Sequence, residues 1–226
     1  MKKLLGFSIF LVFVLIASLT AEAKVTLPAI FSDNMVLQQN TQVNVWGKAA
    51  PGEKVTVKAS WLDKAVTAKA AANGKWTVKL KTPKAITNQS VTVSGENEIT
   101  INNVLIGEVW LCTGQSNMEF PVSRHPDVKW NTGMLNEAEE LKDADYPEIR
   151  LFHVKHQLAH EGELDDCEGE WLVCNPKNLY DFSAVGFVFG RKLYKELKMP
   201  VGLIQSTWGG THAESWTCLL YTSPSP

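Results

Sequence analysis

Between residues 43 and 101 apolar and polar side chains alternate in short runs, and no helical period fits them. The runs are Val43-Asn44-Val45-Trp46-Gly47, Lys54-Val55-Thr56-Val57-Lys58-Ala59, Trp76-Thr77-Val78-Lys79-Leu80, Ser90-Val91-Thr92-Val93-Ser94 and Glu98-Ile99-Thr100-Ile101. A period of two puts successive side chains on opposite faces of a strand. Ala50-Pro51-Gly52, Asn73-Gly74 and Ser94-Gly95-Glu96-Asn97 separate the runs. Asn-Gly between strands is a hairpin signal. Residues 24–103 therefore read as an antiparallel β-sandwich domain. Trp46, Trp61 and Trp76 lie inside this alternation, which favours packing over ligand binding for all three. The region has no histidine and its carboxylates are scattered. It reads as a domain that packs against its neighbour.

From about Val104 the pattern changes. Residues 106–120 open as an apolar strand, break at Thr113-Gly114 and then present Gln115-Ser116-Asn117. A serine on a turn at the carboxyl end of a sheet strand is placed for nucleophilic attack, because ligands of open α/β sheets gather at that edge. The alternative is a serine that caps the next helix. Met118 occupies the place of the second glycine of a nucleophile elbow, so that motif is absent. A helix is expected over 132–142, with Leu135 and Leu141 as its apolar contacts, then a strand over 149–154. Residues 183–198 form the clearest helix, with Val185, Phe189, Leu193 and Leu197 marking one buried face, late positive charge and Pro200 as its stop. Val201-Gly202-Leu203-Ile204-Gln205 follows as a strand. Strand, helix and strand in this order indicate a parallel α/β sheet. Gly209 and Gly210 then allow backbone N–H groups to approach a ligand, as an oxyanion requires. His153, His156 and His160 lack the companions of a metal site and read as surface or core polar residues.

Lys2 and Lys3 precede an apolar run over 4–19 that exits through Ala21-Glu22-Ala23. This is the pattern of a secretory signal peptide over 1–23, with Lys24 first in the mature chain. The expectation is an exported protein, periplasmic or extracellular, with no membrane span after cleavage. The net charge is −2, with no basic cluster to engage nucleic acid. Export permits disulfides, and Cys167 and Cys174 are spaced to pair across a loop, although connectivity is not fixed by sequence. Cys112 reads as a buried small apolar residue.

The stretch Trp110-Leu111-Cys112-Thr113-Gly114-Gln115-Ser116-Asn117-Met118-Glu119 resembles the first block of SGNH-type esterases. Its Gly-Gln-Ser-Asn-Met variant is typical of sialate O-acetylesterases and related carbohydrate acetylesterases. Ile30-Phe31-Ser32-Asp33-Asn34-Met35-Val36-Leu37-Gln38 resembles the opening of bacterial proteins of that family. Residues 202–211, Gly-Leu-Ile-Gln-Ser-Thr-Trp-Gly-Gly-Thr, with Trp216-Thr217 behind them, resemble a further block. The resemblance implies an α/β protein: an N-terminal antiparallel β-sandwich followed, over 104–217, by an incomplete SGNH-hydrolase-like parallel sheet. It implies Ser116 as nucleophile and Gln115, Asn117, Gly209, Gly210 and Thr211 as oxyanion and substrate residues, with no cofactor and no metal. The implied substrate is an acetylated sugar: sialic acid first, xylan or another hemicellulose as the alternative. A non-catalytic exported glycan-binding protein is the reading from another class.

The same family carries its base and orienting carboxylate in an Asp-x-x-His block, and no Asp in this sequence has a His three residues on. A Trp-x-Gln-Gly-Glu block is absent too. Residues 218–226 depart from the family pattern and resemble a translated sequencing adapter. The expectation is a piece of a longer esterase, nearly inactive alone, with a non-native tail and an unpaired sheet edge.

Overall fold

The computed structural model describes residues 24–124, 133–158, 162 and 164–216. The leader and the tail over 218–226 lie outside these, as do His125 and His160. The chain runs β1 (Val36–Gln38), β2 (Gln42–Lys48), β3 (Lys54–Ala59), β4 (Val66–Lys69), β5 (Lys75–Lys81), β6 (Ile86–Ser94) and β7 (Glu98–Gly114). Then come α1 (Ser116–Glu119), α2 (Glu137–Lys142), β8 (Tyr146–His153), β9 (Trp171–Cys174), α3 (Pro176–Leu179), α4 (Ala184–Leu197) and β10 (Val201–Thr207).

Two sheets form. One has eight strands in the order β4-β3-β6-β7-β10-β8-β9, with β1 also on β7, and the other pairs β2 with β5. β3, β4 and β6 are antiparallel to their neighbours, as the period-two runs require. The apolar faces of both sheets share one core that includes Val45, Val57, Leu80 and Val93. The Asn73-Gly74 turn does not close a hairpin. β4 pairs with β3 and β5 with β2, so the turn hands the chain from one sheet to the other.

β7 is the axis of the molecule. It runs for 17 residues. Its first part is antiparallel to β6, and its last part, from Glu108 to Gly114, is parallel to β10. The change is made at a bulge where Val91 faces Ile101 but Gln89 faces Val104. Asn103 sits there at φ 53°, and Asn34 beside it at φ 69°, in the left-handed region that asparagine tolerates better than most residues. Buried Arg150, from β8, donates to Asn34 Oδ1 at 3.0 Å and also meets the Asn103 amide, so the bend is held from outside the strand. β10 is parallel to both β7 and β8, which gives the expected strand-helix-strand unit.

Three expectations are corrected. Helix α4 covers the expected stretch, capped by Ser183 and closed by Lys198 at φ 52°, but of the four residues expected on its buried face only Leu193 packs into a core. Val185, Phe189 and Leu197 are exposed, and Ala184, Gly186, Phe187 and Gly190 face inward. The small residues win because the helix lies close on the sheet. A Cβ added at Gly190 would stand 2.5 Å from a Leu203 methyl, and one at Gly186 3.1 Å from Cys112 Sγ. Helix α2 begins only at Glu137, so Leu135 precedes it and is fully exposed, while Leu141 packs into the second core; Thr132 lies outside the described residues. Cys167 and Cys174 are both unpaired thiols. Cys174 is buried in the second core and its thiol is pushed up to about 12 by that burial, whereas Cys167 packs against the first core. Cys112 is buried, as expected.

Candidate active site

β7 and β10 lie side by side to their carboxyl ends, where Ser206 faces Thr113 and Thr207 faces Gly114. Both candidate loops therefore leave one sheet edge together. Gly114 ends β7 at φ 147°, a value that L side chains rarely adopt. The turn delivers Gln115 as the N-cap of α1 and Ser116 as its first helical residue. Gln115 makes no side-chain cap, and the carbonyl of Gln115 takes the N–H groups of Met118 and Glu119. The N–H groups of Ser116 and Asn117 are left without an intrahelical acceptor, as at any helix start. Ser116, Gln115 and Asn117 are exposed. Ser116 is thus not the cap of this helix, and it is exposed at the sheet edge.

Across from it, the N–H of Trp208 donates to the carbonyl of Gly114 at 3.1 Å, which locks the second loop to the first. A Cβ at Gly209 would stand 3.5 Å from Ser116 Cβ and 2.6 Å from Glu119 Oε2. A side chain there would displace the Glu119 carboxylate. The N–H of Gly209 donates to Glu119 Oε2. Thr211 Oγ1 donates to the Trp208 carbonyl at 2.7 Å and accepts from Trp216 Nε1 at 2.7 Å, so it braces the loop from behind. Gly210, at φ 79°, has open space where a Cβ would stand.

The sequence reading assigned no role to Glu119, His156 or Gln205. Glu119 Oε1 lies 3.0 Å from His156 Nε2, and the same nitrogen is 2.7 Å from the Thr207 carbonyl. The His156 ring stacks on Trp208 with centroids 4.3 Å apart and planes 3° from parallel. His156 comes after β8 has ended, and its contacts make it a residue of this edge rather than a stray polar one. His153 is partly buried, and burial followed by the nearby His156 lowers its pKa. His212, just after the glycine loop, is exposed. Beneath the loops, fully buried Gln205 accepts from Ser183 N–H at 2.7 Å and donates to Thr207 Oγ1 at 3.0 Å. Ser183 in turn caps α4 by accepting from Gly186 N–H at 3.0 Å. The helix start and the end of β10 are thereby tied into one buried polar relay. The spacing Ser116-x-x-Glu119 was the one local signal that could have found Glu119, since three residues along a helix share a face.

A hollow of about 360 Å³ opens beside this edge, walled by Val154, His156, Asp166, Cys167, Thr207 and Trp208. Among the described residues no group of three or more His, Cys, Asp or Glu is placed to hold a metal ion, and no helix is long and apolar enough to cross a membrane.

A serine on a strand-to-helix turn thus stands beside a glycine loop at the carboxyl edge of a parallel sheet. A carbohydrate acetylesterase from Xanthomonas citri has the same fold, with a TM-score of 0.75 and 32% identity over 85% of this chain and 42% of that one. The chain is homologous to the sialate O-acetylesterases. It is 33% identical to the Mus musculus protein over 209 residues and 31% identical to the Homo sapiens protein over 205. Those matches take in 84% and 82% of this chain, which spans 37% of the length of each relative. No family model matches.

Proposed function

We propose that this chain carries the nucleophile of an exported serine esterase that removes O-acetyl groups from carbohydrate, with O-acetylated sialic acid the first substrate and acetylated xylan the alternative. The observation that carries the reading is Ser116, exposed at the start of α1 and facing the Gly209 loop across one sheet edge. Ser116 Oγ attacks the acetyl carbonyl. The oxyanion is received by the free N–H groups of Ser116 and Asn117 and by Gly210, while the N–H of Gly209 is held by Glu119. Collapse breaks the bond to the sugar oxygen, which leaves as a protonated hydroxyl, and water then releases acetate from the acetyl-serine. Glu119 and Thr211 position the loop rather than touch the ester. Gln115 and Asn117 offer exposed amides to the sugar.

The mechanism needs a base, which the family resemblance assigns to the His of an Asp-x-x-His block, a pattern the 226 residues do not contain. The leader-like sequence of residues 1–23 supports a reaction outside the cytoplasm. The test is to read the source gene past the codon for Thr217 and to assay its full product on p-nitrophenyl acetate and an O-acetylated sialic acid. Ser116→Ala should lower turnover by about a thousandfold or more, as loss of a nucleophile does. Turnover that survives Ser116→Ala overturns the mechanism.

A further inference from the structure

The alternation that makes β2 a strand also decides which of its residues meet solvent. Val45 is buried, and Gly47 lies inward against Thr26 and Trp76. Trp46 and Lys48 therefore face outward, where a half-buried strand calls for polar residues. Trp46 is 41% exposed, which departs from the packing role its position in the alternation suggested, while Trp76 is buried as expected. Phe31 braces Trp46 edge-on, with centroids 4.6 Å apart, so the indole is fixed in place.

Across the β2–β5 ladder Trp46 faces Thr77 and Lys48 faces Lys75. Like charges directly opposite on a sheet are unfavourable. Here one carboxylate holds both lysines: Asp165 Oδ2 is 3.0 Å from Lys48 Nζ and Asp165 Oδ1 is 2.5 Å from Lys75 Nζ. Each ammonium has three donors and uses one on Asp165. The neighbouring Asp166 is oriented by the N–H groups of Ala29, at 3.0 Å, and Cys167, at 2.8 Å. These groups wall a groove of about 320 Å³. Asp166 also walls the hollow beside His156 and Trp208, so the two depressions share an edge.

We propose that this groove binds a saccharide, with Trp46 as the platform for a pyranose ring and Lys48, Lys75 and Asp165 as its hydroxyl partners. A pyranose has one face of C–H bonds and a rim of hydroxyls. It needs a fixed aromatic surface beside donors and acceptors that are already oriented. The outward face of the β2–β5 ladder, with Asp165 laid across it, supplies all three in one groove that Ser116 does not line. The groove would hold a second sugar unit of a glycan whose ester lies at the Ser116 edge, or a free sugar alone. The choice of probes rests on the esterase reading, but binding is read without hydrolysis, so either can fail by itself.

The experiment titrates the full chain with N-acetylneuraminic acid and, separately, with xylohexaose, followed by saturation-transfer NMR and tryptophan fluorescence. At least one sugar should bind. Response to the monosaccharide identifies an acidic sugar site, and response to xylohexaose a neutral-chain site. Trp46→Ala should weaken binding by about tenfold or more, as truncation of an aromatic anchor does. Trp46→Phe should keep part of it. Because Trp46 is exposed, both variants should melt within a few degrees of the parent. Failure of both sugars to bind overturns the proposal, as does unchanged affinity in Trp46→Ala. A sedimentation shift from dimer to monomer in Trp46→Ala, without sugar binding, would assign the groove to a second copy and overturn it as well.

Discussion

At the scale of single residues, Glu119 does most to shape the site. It sits one helical turn after Ser116 and spans three elements: its own short helix, the Gly209 loop and the segment after β8 that carries His156. A hydrogen bond to a charged group contributes about 1.5–3 kcal/mol, and a four-residue helix such as α1 depends on ties outside itself, here those of Glu119 and the packing of Met118 on the second core. Glu119→Ala should therefore lower stability by about 1–2 kcal/mol in urea denaturation. Glu119→Gln, which keeps an oxygen for the Gly209 N–H but drops the charge facing His156, should lose less than half of that. Equal losses in the two variants would show that the charge, and not the tie to the loop, is what matters. The sequence made Ser116, Gly209 and Gly210 legible because a turn glycine and a strand end are local signals. Glu119 and His156 were not legible as partners, because 37 positions of sequence separate them and only the parallel pairing of β7, β10 and β8 brings them to one edge.

At the scale of elements, α4 shows where periodicity misleads. Its apolar residues at every fourth position are real, yet the buried face is chosen by small residues that let the helix approach β10. Val185 and Phe189 are left exposed, and Phe189 meets exposed Trp110 edge-on at 5.0 Å. From Glu108 onward β7 has β10 as its only strand partner among the described residues. What fixes α4 to α2 is charge. Arg191 makes a two-pronged contact with the nearly buried Glu140, with Nη2 3.1 Å from Oε1. Burial would raise the Glu140 carboxyl, but the hydrogen bonds and charge of Arg191, helped by Asn136 and Lys195, outweigh it and hold the carboxyl below its usual range. A carboxyl whose pKa is lower in the folded state adds stability that is complete above its unfolded pKa, about 4.3, and is lost as pH falls through the folded value. Glu140→Gln should therefore cost about 1–3 kcal/mol at neutral pH. The gap to the parent should shrink on acidification below about pH 4. A gap that stays constant down to pH 3, measured by urea denaturation, would assign the loss to packing instead.

At the scale of the whole molecule, the two halves read from the sequence share a strand and a core. β7 crosses from the antiparallel part into the parallel part without a break. Phe152 on β8 and Trp171 on β9 are buried in the same cluster as Val57 and Val93 of the sandwich, and Trp171 Nε1 donates to the Ile30 carbonyl at 2.8 Å. Arg150 adds its clamp at the bend. The strand patterns were legible because alternation is local; the sharing of β7 was not, since the runs at 98–101 and from 106 are separated by the polar pair Asn102-Asn103, which reads as a turn and is in fact the bulge. A continuous strand with packing across it makes partial unfolding expensive, because releasing either half exposes β7 and strips the other half's core. Unfolding should therefore be a single transition, with far-ultraviolet dichroism and tryptophan fluorescence coinciding. Val57→Ala in β3 and Leu203→Ala in β10 lie in opposite halves and different core clusters. Each should move that one transition, the leucine by about 2–5 kcal/mol and the valine by less. Two separate transitions, each shifted by only one of the variants, would mean that β7 joins two independent units and that the Ser116 edge can unfold while the sandwich stays intact.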